Sequence, residues 1–185
     1  MISITGGKFR GRKIDVPSGN EVRPTLNKSR EAIFNVLQHW IRIRGMTVLD
    51  LYAGSGALGL EALSRGAKHI FFVEKSIVNF KVLQKNIKRL ELDESQVTSF
   101  HGTAVKTLPL LKNDDVACLL LIDPPYQADE YEKILLLISQ LETIPKQSVL
   151  VVESPCSLQY STENNLERIK SKVFGKTKLD FLVKC

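Results

Sequence analysis

Two short stretches hold the residues best suited to chemistry. The first is Asp123-Pro124-Pro125-Tyr126, which closes the apolar run Leu119–Ile122. Proline fixes φ near about −65° and has no N–H, and a residue before proline is pushed out of the helical region. Asp123 and Pro124 are therefore both held extended. They form a stiff ledge that offers a carboxylate and a carbonyl as acceptors, and Tyr126 adds an aromatic face. Two acceptors and a stacking surface suit a planar ring bearing an exocyclic amine. Accepting that amine's hydrogens localises its lone pair, and the carboxylate stabilises the positive charge that develops as the nitrogen attacks an electrophile. The bland reading of the same residues is a strand-ending turn, with Tyr126 a core or rim side chain.

The second stretch is Gly54-Ser55-Gly56-Ala57-Leu58-Gly59, a G-x-G-x-x-G spacing with Glu74 20 residues after Gly54. It nearly satisfies the dinucleotide fingerprint, so an NAD-linked oxidoreductase is one reading. Asp50, just upstream of the turn, argues against it, because a carboxylate there repels a pyrophosphate and complements a cation. S-adenosylmethionine has no phosphate. Asp50 suits its ammonium, the N–H groups of the loop its carboxylate, and Glu74 its ribose diol. The glycines also have a purely structural reading, as a tight strand-to-helix turn.

Both stretches need a frame. Before Gly45, "ISITGG" and "RGRKIDV" read as a hairpin, followed by a loop. A helix is expected from about Leu26 to Arg44, with Ile33, Phe34, Leu37 and Ile41 at helical spacing. Beyond Gly45 strands and helices alternate: "TVLDLYA", "HIFFVE", "QVTSFHG", "VACLLLID" and "SVLVVES" are strands, separated by helical segments. In the longest of these helices Val78, Val82, Ile87 and Leu90 are the expected buried side. A short helix is expected through Leu111, and another from about Asp129 to Leu141. The tail reads as two strands around Gly175. Such alternation predicts an α/β, three-layer, Rossmann-like fold: a mostly parallel seven-stranded sheet with an antiparallel edge hairpin, plus the N-terminal hairpin and helix. Ligands bind such sheets beyond the carboxyl ends of the strands, where Asp50 to Gly56, Glu74, Gly102, Thr103 and Asp123 to Tyr126 all fall.

Composition narrows the class. The chain has 185 residues and a net charge of +6, enough for one domain with a sizeable core. Residues 1–44 carry nine basic and three acidic side chains, and the rest carries 17 of each. The whole excess lies in the first quarter, as in a basic arm facing a polyanion. A solvated surface is the bland reading. Residues 1–44 are expected to be a basic extension of the same domain that residues 45–185 form. Three cysteines, Cys118, Cys156 and Cys185, have no paired spacing, which argues against disulfides and zinc. His39, His69 and His101 lack metal-ligand spacing, so no metal is expected. No apolar run approaches the about 20 residues a membrane span needs, and no secretory signal opens the chain. A monomer in the cytoplasm is the expected state.

With the sheet, "DLYAGSGALGLEALSRGA" resembles the class I S-adenosylmethionine-dependent methyltransferases. "DPPY" resembles the [D/N/S]-P-P-[Y/F/W] motif of enzymes that methylate exocyclic amines of bases. "GGKFRGRKI", "RPTLNKSREAIFNVL", "FVEK" and "LIDPPY" occur in the order seen in the bacterial RsmD family. That resemblance, carried by the segment up to Tyr126, implies methylation of the N2 amine of a guanine in 16S ribosomal RNA, within the small subunit. It implies that Asp123, Pro124 and Tyr126 hold the base. It also makes Asp50, Gly54, Ser55, Gly56, Glu74, Lys75, Thr103 and Ala104 cofactor positions. Lys8, Arg10, Arg12, Lys13, Arg23, Thr25 and Arg30 would face RNA or the rim of the site, the hairpin basics gripping phosphates beside the pocket. Two positions depart from the family pattern. Thr103 stands where an acid near the adenine is common, and Asn27-Lys28 where Asp and Arg are common. A DNA adenine-N6 methyltransferase, which can share the proline motif, is the alternative.

Overall fold

Strands that are apolar on both faces need helices on both sides, and this chain supplies four of them. β3 (Thr47–Asp50), β4 (His69–Glu74), β6 (Leu119–Ile122) and β7 (Val149–Pro155) are almost wholly buried. The computed structural model describes residues 1–17, 24–110, 119–125, 128–162 and 165–185. With β5 (Val97–His101), β8 (Leu166–Phe174) and β9 (Thr177–Lys184), the four make a seven-stranded sheet of order β5-β4-β3-β6-β7-β9-β8. The first five are parallel. The closing hairpin is antiparallel, β9 lying between β7 and the edge strand β8.

Helices α1 (Pro24–Leu37), α2 (Ala57–Ser64) and α3 (Ile77–Arg89) cover one face. There Phe34, Leu60 and Leu83 pack on Val48, Leu121 and Val151. The other face carries α4 (Ala104–Thr107) and α5 (Ala128–Gln140), with Tyr131, Ile134 and Ile138 against Leu49, Leu120 and Val152. This is the three-layer arrangement that the alternating pattern predicts. No helix among the described residues is long and apolar enough to cross a membrane.

Ahead of the sheet, β1 (Ile2–Ser3) pairs antiparallel with β2 (Lys13–Ile14). Ile2, Ile4, Phe9 and Ile14 join the core on the α1 side. The hairpin is therefore packed into the protein rather than hanging free.

Two sequence expectations need correction. α1 ends at Leu37, not near Arg44; hydrogen-bonded turns carry the chain through Trp40, and Ile43 then enters the core. In α3 the buried residues are Leu83 and Asn86, with Leu90 just past its end, while Val78 is exposed. Ile87 packs against the core and Leu90 is buried, as expected; the expected stripe errs in taking in Val78 and in passing over Leu83 and the polar Asn86. Leu111, Cys118 and the first residues of the fourth expected strand lie outside the described residues.

Candidate active site

Leaving β3, the chain turns to β4 on one side and later to β6 on the other. A crevice at the carboxyl ends of β3 and β6 is the consequence of such a reversal. A cavity of about 180 Å³ opens there. Asp50, Tyr52, Gly54, Ser55, Asp123 and Glu153 line it from the strand ends, and Asn79 from α3. Ile2, Val16, Pro17 and Arg30 close it from the N-terminal segment.

Register explains why three acids meet. Asp50 pairs with Leu121, and Leu121 with Val151. Asp123 and Glu153 stand two residues further along their strands, so all three project on one face of the sheet. They continue the apolar rows that α1 and α2 cover, at the point where that cover gives way to the cavity. Asp50 and Glu153 are buried. Burial pushes the Asp50 carboxyl up to about 7, with the Glu74 charge adding and the N–H of Gly59 opposing. Burial likewise pushes Glu153 up to about 7. Asp123 rises well above the usual carboxylate range, through burial first and then the charges of Glu153 and Asp50. Among the described residues no donor is hydrogen-bonded to the carboxylate of Asp123 or Glu153.

The ledge beyond β6 is braced from behind. Pro124 is buried. The hydroxyl of Tyr131, on α5, lies 3.4 Å from the Pro124 carbonyl and 3.1 Å from that of Glu153. One buried phenol thus ties the two acid-bearing strand ends together. Tyr126 lies outside the described residues.

The glycine loop is shaped by its backbone. Gly54 and Gly56 have φ of 56° and 83°, a region that side chains rarely adopt. At Gly59 the reason is space, since a Cβ would stand 2.3 Å from the Phe72 ring. One oxygen of Asp50 accepts from Gly59 N–H at 2.9 Å, fastening α2 to β3. Glu74 accepts from Gly54 N–H and Ser76 N–H, both at 2.7 Å. Gly56 N–H donates to Ala53 at 2.7 Å. Two of the N–H groups expected to meet a ligand carboxylate are thus engaged within the fold. Ser55 N–H has no acceptor among the described residues.

Gly56, Glu74, Lys75, Thr103 and Ala104 do not line the cavity. They follow it along the same row of strand ends, because β3, β4 and β5 are neighbours in that order. Thr103 caps the start of α4 without using its hydroxyl as the cap.

The N-terminal basics separate into two groups. Lys8, Arg10, Arg12 and Lys13 are exposed. Their turn is pinned at the far end of α2, through Lys8 N–H to the Ser64 carbonyl at 2.7 Å and Phe9 N–H to the Ser64 hydroxyl at 2.8 Å. That end is about 12 Å along the helix from the glycine loop, so the turn does not border the cavity. Arg30 is buried, 3.5 Å from the Glu61 carboxylate, at the cavity wall. Arg23 lies outside the described residues, and Thr25 is in α1.

Residues 2–183 match the family described as Conserved hypothetical protein 95. Ribosomal RNA small subunit methyltransferase D of Escherichia coli is 32% identical over 156 residues, 83% of this chain and 75% of that one. This chain belongs to the RsmD family. The Haemophilus influenzae protein of the same name is 29% identical over 174 residues, 94% of this chain and 89% of that one. The solved structure of yhhF from Escherichia coli covers 99% of this chain and 97% of its own at TM-score 0.83 and 29% identity. ChlM from Synechocystis, solved with bound SAM, has TM-score 0.66 at 13% identity over 87% of this chain and 80% of its own, a likeness of fold alone. By family and fold, the chain is a class I S-adenosylmethionine-dependent methyltransferase, and the NAD-linked reading falls away.

The residues fit that cofactor. No atom lies within 4 Å of the place a Cβ on Gly54 would occupy, so the loop faces open space that any side chain would fill. Asp50 stands beside that space as a carboxylate suited to an ammonium. Glu74 has lone pairs beyond the two that accept from backbone N–H. Four residues were not singled out in the sequence: Glu153, Tyr131, Asn86 and Glu61. The alternation that placed Asp123 after Leu119 and Leu121 also places Glu153 after Val149 and Val151, and was the available signal.

Proposed function

We propose that this protein transfers a methyl group from S-adenosylmethionine to the exocyclic N2 amine of a guanine in 16S ribosomal RNA, in the small ribosomal subunit. The observation that carries the reading is the meeting of Asp123, at the proline ledge, with the glycine loop in one cavity. The names of the relatives, small subunit methyltransferases, support the substrate.

Asp50 would hold the ammonium of the cofactor, Ser55 N–H its carboxylate, and Glu74 its ribose hydroxyls. Thr103 and Ala104 would border the adenine. Bound there, the cofactor supplies an electrophilic methyl carbon on a sulfonium sulfur. The Asp123 carboxylate accepts one hydrogen of the target amine and the Pro124 carbonyl the other, which turns the nitrogen lone pair toward that carbon. Tyr131 holds the Pro124 carbonyl in place. As positive charge develops on nitrogen, Asp123 stabilises it and takes the departing proton. Orientation on a rigid ledge supplies much of the remainder, for which about 7–11 kcal/mol is available in principle. Tyr126 would offer the ring a stacking face. Residues 1–44 act as the RNA-facing part of the same domain, with Lys8, Arg10, Arg12 and Lys13 on phosphates. Such contacts set affinity rather than base identity.

The test is transfer of a tritiated methyl group to small subunits from cells lacking the enzyme, followed by nucleoside analysis. N2-methylguanosine is expected. N6-methyldeoxyadenosine from a parallel reaction on DNA would establish the adenine alternative, and any other labelled nucleoside from the subunits, or none, would remove the reading.

A further inference from the structure

Glu153 is the acid at this site that the mechanism above does not use. It stands at the end of β7, beside Asp123 on the neighbouring strand, and lines the same cavity. It is 8% exposed. Its carboxylate has no hydrogen-bond donor or ion-pair partner among the described residues. A buried carboxylate without a donor costs stability unless a ligand supplies one. The groups facing it are Asp123 from the adjacent strand end, Asp50 from β3 one strand beyond, and Arg30 from α1, which is paired with Glu61. From helix α5, Tyr131 meets the Glu153 backbone carbonyl and not its carboxylate. Adjacent strands lie about 4.8 Å apart, so Asp123 and Glu153 present two acceptors side by side.

A guanine offers two donors side by side on one edge: the N2 amine and the ring N1–H. With the amine on Asp123, N1–H points to the next strand. We infer that Glu153 is a base-reading residue, its carboxylate accepting the N1–H of the guanine whose N2 amine is held by Asp123 and Pro124. The inference rests on the guanine-N2 reading and adds the source of its selectivity. Adenine entering amine-first has a bare lone pair at the equivalent ring nitrogen, which the Glu153 carboxylate repels. A site that hydrogen-bonds a particular donor rejects the analogue that lacks it.

The experiment measures inhibition of methyl transfer to small subunits by guanosine, 1-methylguanosine and 2-aminopurine 5′-monophosphates at millimolar concentration. The second has its N1 blocked, and the third keeps the 2-amine but has no hydrogen on N1. For the unaltered enzyme guanosine monophosphate is expected to inhibit at least about tenfold more strongly than either analogue. In Glu153→Leu, which has no acceptor, the preference for guanosine over 2-aminopurine monophosphate collapses and transfer slows, while affinity for S-adenosylhomocysteine is retained. Equal inhibition by all three, no inhibition by guanosine monophosphate, or a preference over 2-aminopurine that survives Glu153→Leu overturns the inference. If Glu153→Leu does not fold, the comparison on the unaltered enzyme alone decides. Nucleoside analysis of the same reactions separates the two levels. N2-methylguanosine with no discrimination at N1 sinks only the role of Glu153, and any other methylated nucleoside sinks the guanine-N2 reading beneath it.

Discussion

Asp50, Asp123 and Glu153 crowd three carboxylic acids into one cavity, and that crowding sets how the protein responds to pH. A carboxyl held protonated by burial must lose its proton before it can pair with an ammonium. Asp50 rises from the ordinary range to about 7, so affinity for S-adenosylhomocysteine should increase as pH goes from 6 to 8, by at most about tenfold per unit. Calorimetric titration across that range checks this, and Asp50→Asn should flatten the dependence. At the next strand end, Asp123→Ala should lower single-turnover methylation by roughly 10²–10³, as expected on losing one partner of the developing charge. Unchanged turnover would remove Asp123 from the mechanism.

At the scale of elements, buried polar side chains fasten the N-terminal segment to the helices that carry the loop. Glu61, fully buried on α2, accepts from Thr5 N–H, the Thr5 hydroxyl and Gly6 N–H, each at 2.8 Å, and from Arg65 at 2.9 Å. Arg30 stands 3.5 Å away. Removing the acid leaves buried cationic and N–H groups without their acceptor. Glu61→Ala should therefore cost about 3–5 kcal/mol in urea unfolding, and an unchanged midpoint would refute the clamp. Asn86, fully buried on α3, donates to the Asp15 carbonyl and to the Ser55 carbonyl, both at 2.9 Å, and accepts from Asp15 N–H at 2.7 Å. It joins the N-terminal strand and the glycine loop through one amide. Asn86→Leu should cost about 1–3 kcal/mol and also weaken S-adenosylhomocysteine binding, which distinguishes it from a change remote from the loop.

For the whole molecule, the same acids make the cofactor-free protein trade stability for function. Asp50 and Glu153 are raised in the folded state relative to the unfolded chain. The folded state then binds more protons between about pH 4 and 7, and stability falls as pH rises through that window. This contribution is present in full at the acid end and lost above about 7. Asp123→Asn should remove one such charge, raising the melting temperature of the free protein at pH 7.5 while slowing transfer. A lower melting temperature at that pH would mean that the carboxylate is stabilised by something other than a ligand. The charge of the first quarter belongs to this scale too. Reversing Arg10 and Arg12 should weaken RNA binding and reduce its salt slope by about 0.7 for each phosphate no longer neutralised, as read from filter binding over a range of salt. The turn sits about a helix length from the cavity, so methyl transfer at saturating RNA should change less than affinity.

The elements and the residues of the ledge and loop are written in the order of the amino acids. Apolar runs ending at Asp50, Glu74 and Asp123 read as buried strands, and proline and glycine restrict the backbone locally, so those positions are legible without a fold. What the polar residues inside the protein do became visible only once the chain was packed. Nothing in the local pattern singles out Asn86 and Glu61 as buried, because their partners lie 71 and 56 residues away in sequence. Glu153 became part of the site only through the β6–β7 register, and Arg30, expected to face RNA or the rim of the site, lies at the cavity wall beside Glu61. Hydrophobic periodicity is a short-range signal; hydrogen-bond partnership across a core depends on which strands and helices lie side by side, and that is settled by packing.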